Sequence, residues 1–198
     1  MTKSDFLRPV SLGICLMSWG MLAQAAETTY EIDSAHTYPA FEADHLGGVS
    51  LWRGKITSTS GTIVLDKEMG TGAVDITMDM SSIDFGHDGL STHAKSSDMF
   101  DVERFPTATY SGRLSDFRDG RPTSVEGTLT LHGVTQPVDL DIDHFLCKPH
   151  PMQDREVCGA NATTVIDRSD FGVDYGAPLF LMDVTLRISV EALAAAEE

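Results

Sequence analysis

Three well-separated stretches of this chain alternate apolar and polar residues with a period of two, and few folds accept that pattern. Over Gly72–Ser81, Val74, Ile76, Met78 and Met80 take one face while Asp75, Thr77 and Asp79 take the other. Over Gln136–Leu146, Val138, Leu140 and Ile142 alternate with Asp139, Asp141 and Asp143. Over Met182–Leu193, Val184, Leu186, Ile188 and Val190 share one side. Successive side chains of a strand point to opposite faces, so each stretch predicts a strand with one buried face and one wet face.

Shorter stretches extend the pattern. Thr28–Asp33 sets Tyr30 and Ile32 together, and Tyr38–Leu46 gathers Pro39, Phe41, Ala43 and His45 on one face. Gly47-Gly48 marks a turn. Lys55–Asp66 predicts a single strand broken at Gly61 by a bulge or bend. Thr107–Phe117 and Ser124–His132 flank a turn at Asp119–Pro122, and Asn161–Asp167 adds another strand. About eight strands with one apolar face each must bury that face in a sandwich or a barrel. Few devices blunt an open edge, which favours closure. The expectation is an all-β fold, an eight-stranded antiparallel barrel over residues 27–193. Ala43, Ala73, Ala108, Gly112, Gly127, Ala160 and Ala162 are small at expected inner positions, which predicts a cavity. A barrel filled by its own aromatic side chains is the alternative.

One insertion breaks the β pattern. His93–Pro106 sets Met99, Phe100, Val102 and Phe105 among Asp98, Asp101, Glu103 and Arg104. That mixture predicts a short helix and turn lying apolar side down across an opening, ended by Pro106. It reads as a lid.

The first 25 residues read as a secretory signal. Lys3 and Arg8 precede an apolar run, Pro9–Leu22, and Ala23-Gln24-Ala25 supplies a small–x–small cleavage pattern. The expected location is the periplasm. That segment carries Lys3, Arg8 and Asp5, a net of +1, so the chain beyond it stands at −17 against −16 for the whole. Such acidity disfavours nucleic acid. Cys147 and Cys158 are the cysteines left after cleavage, and an even pair in an exported chain predicts a disulfide closing a loop of about twelve residues. No G-x-S-x-G, H-E-x-x-H or phosphate loop is present, so no catalytic residue and no cofactor are expected.

A series of motifs resembles a known family. In order they are Tyr30-x-Ile32-Asp33-x-x-His36, Phe41-x-x-x-His45-Leu46-Gly47, Ser82-Ile83-Asp84, and His93 followed by Asp98-x-Phe100-Asp101. Then come Phe105-Pro106, the run from Gly127 to Val138 that contains LTLHGVTQPV, and Arg168-Ser169-Asp170-Phe171-Gly172. The series is similar to the YceI-like family of exported bacterial proteins. The resemblance implies a lipocalin-like eight-stranded barrel with a short helical lid and an elongated apolar pocket. It also implies a ligand with an isoprenoid chain, such as a polyprenyl lipid or quinone tail, or a fatty-acid amide.

On that reading the wall comprises Phe41, Val74, Ile76, Met78, Ile83, Leu129, Leu131 and Ile188, with Trp52, Phe100, Phe105 and Phe171 near the mouth. His45 falls on the apolar face, where a neutral imidazole can meet a headgroup oxygen or be satisfied by backbone. His36 and His132 suit turns. Strands of about ten residues make a barrel roughly 25 Å tall, so a long prenyl tail must fold back or protrude. The partner is an apolar lipid; transient contact with a membrane or membrane protein, and a homodimer, stay open. A second reading is a metal- or haem-binding redox or stress protein, using His150 and Met152 or the group His87, Asp88 and His93. No metal ligand is assigned.

Overall fold

The computed structural model describes residues 27–196. The expected signal segment 1–25 lies outside them. The described strands are β1 (Thr28–Ile32), β2 (Tyr38–His45), β3 (Ser50–Ile56), β4 (Thr59–Asp66), β5 (Thr71–Asp79) and β6 (Ile83–Asp84). They continue with β7 (Thr107–Ser115), β8 (Ser124–Leu131), β9 (Val134–Pro137), β10 (Leu140–Pro149), β11 (Glu156–Asp167) and β12 (Asp183–Ala194). The helix α1 (Asp88–Lys95) and 3-10 turns at Met80–Ser82 and Arg168–Phe171 complete the set. No helix among the described residues is long and apolar enough to cross a membrane.

Eight strands form a closed antiparallel circuit, β1-β4-β5-β7-β8-β10-β11-β12, with β12 returning to β1. Closure depends on one long strand holding two partners on a single edge. Ala192–Ala194 of β12 pair with β1, whereas Val184–Ser189 pair with β2. Between them the chain bends, and buried Thr37 covers the gap. Its hydroxyl donates to the Glu191 carbonyl at 3.0 Å and accepts from the Glu191 N–H at 3.1 Å. A side chain thus stands in for a missing strand partner. Asp33 caps the same bend, accepting from the Ala35 N–H and pairing with His36 Nδ1 at 2.8 Å, as expected of a turn histidine.

The next pair splits in the same way. Lys55–Asp66 is not one strand: β3 follows β2, β4 follows β1, and the break falls at Thr57-Ser58 rather than at Gly61. Both N–H groups at the break donate to Ser82 Oγ, at 3.1 and 3.0 Å. Gly61 stays within β4 at φ +138, because a Cβ there would lie 2.1 Å from the Asp75 carbonyl oxygen. Gln136–Leu146 likewise becomes two strands. His132 and Gly133, both at positive φ, make a two-residue hairpin from β8 to β9. Beyond Pro137 the Val138 N–H still donates to the Gly127 carbonyl at 2.9 Å, but the Gly127 N–H donates to the Asp139 carboxylate at 3.1 Å and the ladder stops. A register shift between Ile142 and His144 moves the inward set of β10 from Leu140 and Ile142 to Phe145 and Cys147.

Inner side chains of the whole circuit make one apolar core. Toward one end Tyr30 is fully buried, 1% exposed. Its hydroxyl donates to Glu156 Oε1, which also takes Lys67 Nζ. Burial works to raise the Glu156 pKa, but the bonds from Lys67 and Tyr30 outweigh it and hold the carboxyl below its ordinary value. Beside it Cys147 and Cys158 form the expected disulfide between directly paired residues of β10 and β11. The bridge is a cross-strand tie within the sheet.

At the other end the edge of β3 away from β2 meets only the short β6, and the opening toward β5 and β7 is covered by Met80–Pro106. The expected lid is there, but its helix lies earlier. It spans Asp88–Lys95 and shares only His93–Lys95 with the predicted stretch. His87 caps its start, and the Ser96 hydroxyl donates back to the His93 carbonyl at 2.7 Å. Serine and aspartate at 96–98 favour such local bonds over another helical turn, so Ser96–Pro106 runs as successive turns.

Replacing Cys147 and Cys158 together by serine is expected to lower stability by about 2–3 kcal/mol in urea unfolding, with the barrel still formed. The depressed folded-state pKa of Glu156 makes its contribution complete above about pH 5 and progressively lost as pH falls through the folded value. Glu156→Gln should therefore destabilise the protein at neutral pH and flatten its acid-side stability profile, read as melting temperature against pH.

Candidate functional site

The barrel encloses a cavity of about 460 Å³ that runs from the bend at Thr37 and Thr59 to the lidded end. Its existence follows from which inner positions are small. Ala43, Ala108, Ala160 and Ala162 line it as expected. Ala73 does not, because Val74 points inward and leaves Ala73 exposed. Gly112 and Gly127 add no free space either. A Cβ on Gly112 would lie 2.8 Å from Val125 Cγ1, and one on Gly127 would lie 2.3 Å from the Tyr110 hydroxyl. Gly127 is therefore the seat of the Tyr110 ring, whose hydroxyl donates to the Val138 carbonyl at 2.9 Å. Burial pushes the Tyr110 pKa far up, with the Asp139 charge adding to it, so the group is a neutral donor.

Eleven of the thirteen residues expected at the site line the cavity: Phe41 and His45 on β2, Trp52 on β3, Val74, Ile76 and Met78 on β5, Ile83 on β6, Leu129 and Leu131 on β8, Ile188 on β12, and Phe100 after the helix. Phe105 and Phe171 do not. Phe105 turns to His132, ring centroids 4.5 Å apart, over the hairpin glycine Gly133. Phe171 is 1% exposed within its 3-10 turn, and its carbonyl accepts from His132 Nδ1 at 3.1 Å. Both serve the β8–β9 turn, because the turns of Ser96–Pro106 and Arg168–Phe171 carry them sideways from the opening. His132 is thereby the turn residue that was expected.

Other wall residues escaped the sequence argument. Tyr110, Leu186 and Val190 share strand faces with expected members, so parity alone would have found them. Leu90, His93 and Ala94 enter from α1, and Tyr175 and Phe180 from the segment before β12, where no periodicity signals them.

The mouth collects the polar groups. His45 stacks on Trp52, centroids 3.8 Å apart and planes 14° from parallel, and meets Phe180 edge-on at 5.4 Å. The Asp44 carboxylate accepts N–H groups from Leu181, Gly47 and Gly48, which hold its pKa below the ordinary carboxylate value. Arg168 pairs with no acid among the described residues, although Asp167 and Asp170 are close in sequence. Its guanidinium donates to the carbonyls of Val173 and Tyr175, at 2.5 and 2.8 Å, and burial lowers its pKa. Deeper in, Thr59 Oγ1 is buried in the wall with no hydrogen-bond partner among the described residues.

The groups weighed for metal do not converge. His150 Nδ1 accepts the Met152 N–H within one turn, and His87 caps α1 while His93 packs on Tyr175. Among the described residues the one cluster of three candidate donors is Cys147, Glu156 and Cys158, whose sulfurs are bonded to each other.

A YceI-like domain matches residues 30–192. The chain belongs to the YceI-like family. A UPF0312 protein of Vibrio parahaemolyticus is 29% identical over 190 residues, covering 95% of this chain and 97% of that one. Among solved structures, Burkholderia cenocepacia BcnA superposes with a TM-score of 0.63 at 19% identity over 78% of this chain and 96% of its own. A polyisoprenoid-binding domain from Saccharophagus degradans, implicated in plant cell wall breakdown, gives 0.60 at 17% over 85% and 99%. These likenesses are of fold, and the YceI-like barrel is the shared frame.

Gly127→Ala is expected to expel the Tyr110 ring, break its bond to Val138 and cost about 1–3 kcal/mol in urea unfolding. The penalty should shrink in a Tyr110→Leu background, which a double-mutant cycle checks.

Proposed function

We propose that this protein is an exported carrier that sequesters or ferries an isoprenoid-chain lipid, a polyprenyl or quinone tail or a fatty-acid amide, inside its barrel. The observation that carries the proposal is the cavity itself: it lies inside the closed circuit of strands, beneath the lid, and is walled mostly by Val, Ile, Leu, Met, Phe and Ala. Such a wall rewards apolar area removed from water, at roughly 25 cal/mol per Å² before ordering costs, and offers little to a polar ligand. Membership of the YceI-like family supports the reading, as does a structural neighbour named for binding polyisoprenoids.

Binding of this kind needs no catalytic group and no cofactor. The chain enters tail first, and the headgroup stays among His45, Trp52 and Phe180 at the mouth. Met99 and Phe100 lie against the interior from the lid, so their displacement opens it. Export through the 1–25 segment places the carrier in the periplasm.

Native mass spectrometry of protein isolated from its own cell envelope, followed by solvent extraction, tests this directly. A bound mass of prenyl-chain size, released on denaturation, is expected, as is a higher melting temperature with added prenyl quinone. Phe100→Asp should weaken retention about tenfold or more while the barrel stays folded. In a chain beginning at Ala26, Trp52 is the sole tryptophan, so quinone entry should quench its fluorescence. A clean apo mass that persists after incubation with prenyl quinones, with no change in melting temperature, defeats the carrier reading.

A further inference from the structure

Eleven large apolar side chains are well exposed among the described residues, and six of them stand on two segments at the cavity mouth. Leu46, Val49 and Leu51 belong to the β2–β3 hairpin; Tyr175, Leu179 and Leu181 belong to the segment before β12. Val49 is 75% exposed and Leu179 is 70% exposed. The two segments are clasped together. The Leu181 N–H donates to Asp44 Oδ2 at 3.0 Å, and a Cβ on Gly47 would lie 3.3 Å from the Leu179 carbonyl oxygen.

Inward and outward residues alternate along both segments. His45, Trp52 and Phe180 line the cavity, while their neighbours Leu46, Leu51, Leu179 and Leu181 face solvent. The apolar interior therefore continues over the rim onto the outer surface. Residues 45–52 and 175–182 contain no Asp, Glu, Lys or Arg, in a chain of net charge −16. Asp44, Asp174 and Asp183 flank these stretches in sequence, and Asp44 spends its carboxylate on three backbone N–H groups.

We propose that this rim docks the open end of the barrel onto a phospholipid bilayer, inserting Leu46, Val49, Leu51, Leu179 and Leu181 at its surface. Contiguous exposed apolar side chains mark a docking surface, and the continuity of this one with the cavity fits a lipid phase. The acidic chain and the uncharged rim exclude electrostatic attraction to anionic headgroups, so contact is by apolar insertion into a neutral surface. The inference rests on the carrier reading for its purpose, since a water-insoluble cargo then passes between membrane and cavity without crossing water.

The test is flotation of the chain from Ala26 onward, which contains every barrel residue and lacks the apolar Pro9–Leu22 run, with phosphatidylcholine–phosphatidylethanolamine vesicles at low and high salt. Co-flotation at both salts is expected. Val49→Asp combined with Leu179→Asp should reduce the bound fraction about tenfold or more. Neither residue lines the cavity, so melting temperature and binding of farnesol in vesicle-free solution should not change. Failure of the parent to float, equal flotation of the double variant, or release by high salt overturns the proposal. So does a parent dimer that the double variant converts to monomer, which would assign the rim to a second copy. Flotation without farnesol binding upholds the docking surface and removes the carrier reading; farnesol binding without flotation does the reverse.

Discussion

The structure depends on β12 having more length than any single partner on its free edge. Eight strands need a last pairing to become a barrel, and here that pairing is divided between β1 and β2. A divided edge leaves backbone groups unpaired at the switch, which a buried site does not tolerate without a substitute. Thr37 provides it with one hydroxyl that both donates to and accepts from Glu191. The bend passes on to β3 and β4, where Ser82 performs a similar service. The end of the barrel beside this split is covered by the lid segment rather than by further strand pairing.

That asymmetry sets the cavity beneath the lidded end. The far end holds buried Tyr30, the Glu156–Lys67 contact and the disulfide, three devices within one small region. The other end is tied by Glu42, which takes Arg53 of β3 and Arg187 of β12. It is covered by a short helix and turns whose apolar side chains lie on the void, and by the Asp44-clasped segments. An empty apolar interior costs stability through lost packing contacts, so a ligand that fills it both binds and stabilises. The lipid carrier reading and the geometry of the barrel are thus two aspects of the same underfilled core.

Much of the wall was legible in the chain. Val74, Ile76, Met78, Leu129, Leu131 and Ile188 were found from alternation, because a strand's two faces are a local property of the backbone. The misassigned residues lie where locality ends. Phe105 and Phe171 sit in turns, and a turn can send an aromatic ring toward the mouth or toward the His132 hairpin with no change in composition. Gly127 was small for a reason invisible in sequence: the ring of Tyr110, on a neighbouring strand, occupies its space. Smallness at an inner position means either free volume or a seat for another residue, and only packing separates the two.

By itself the sequence determined the secondary structure class, the faces of the strands, the pairing of two cysteines and the motifs of the YceI-like family. Each of these is encoded within a few residues or within a residue count. Only the tertiary structure decided that Lys55–Asp66 and Gln136–Leu146 each divide into two strands, that the lid helix begins at Asp88, and that Tyr175 and Phe180 reach the mouth. These outcomes rest on hydrogen bonds and contacts between residues far apart in the chain, such as Thr37 with Glu191 and Asp44 with Leu181. Side-chain parity is inherited from the nearest neighbours, whereas the partner of an edge and the path of a loop are set by what the rest of the barrel leaves unpaired.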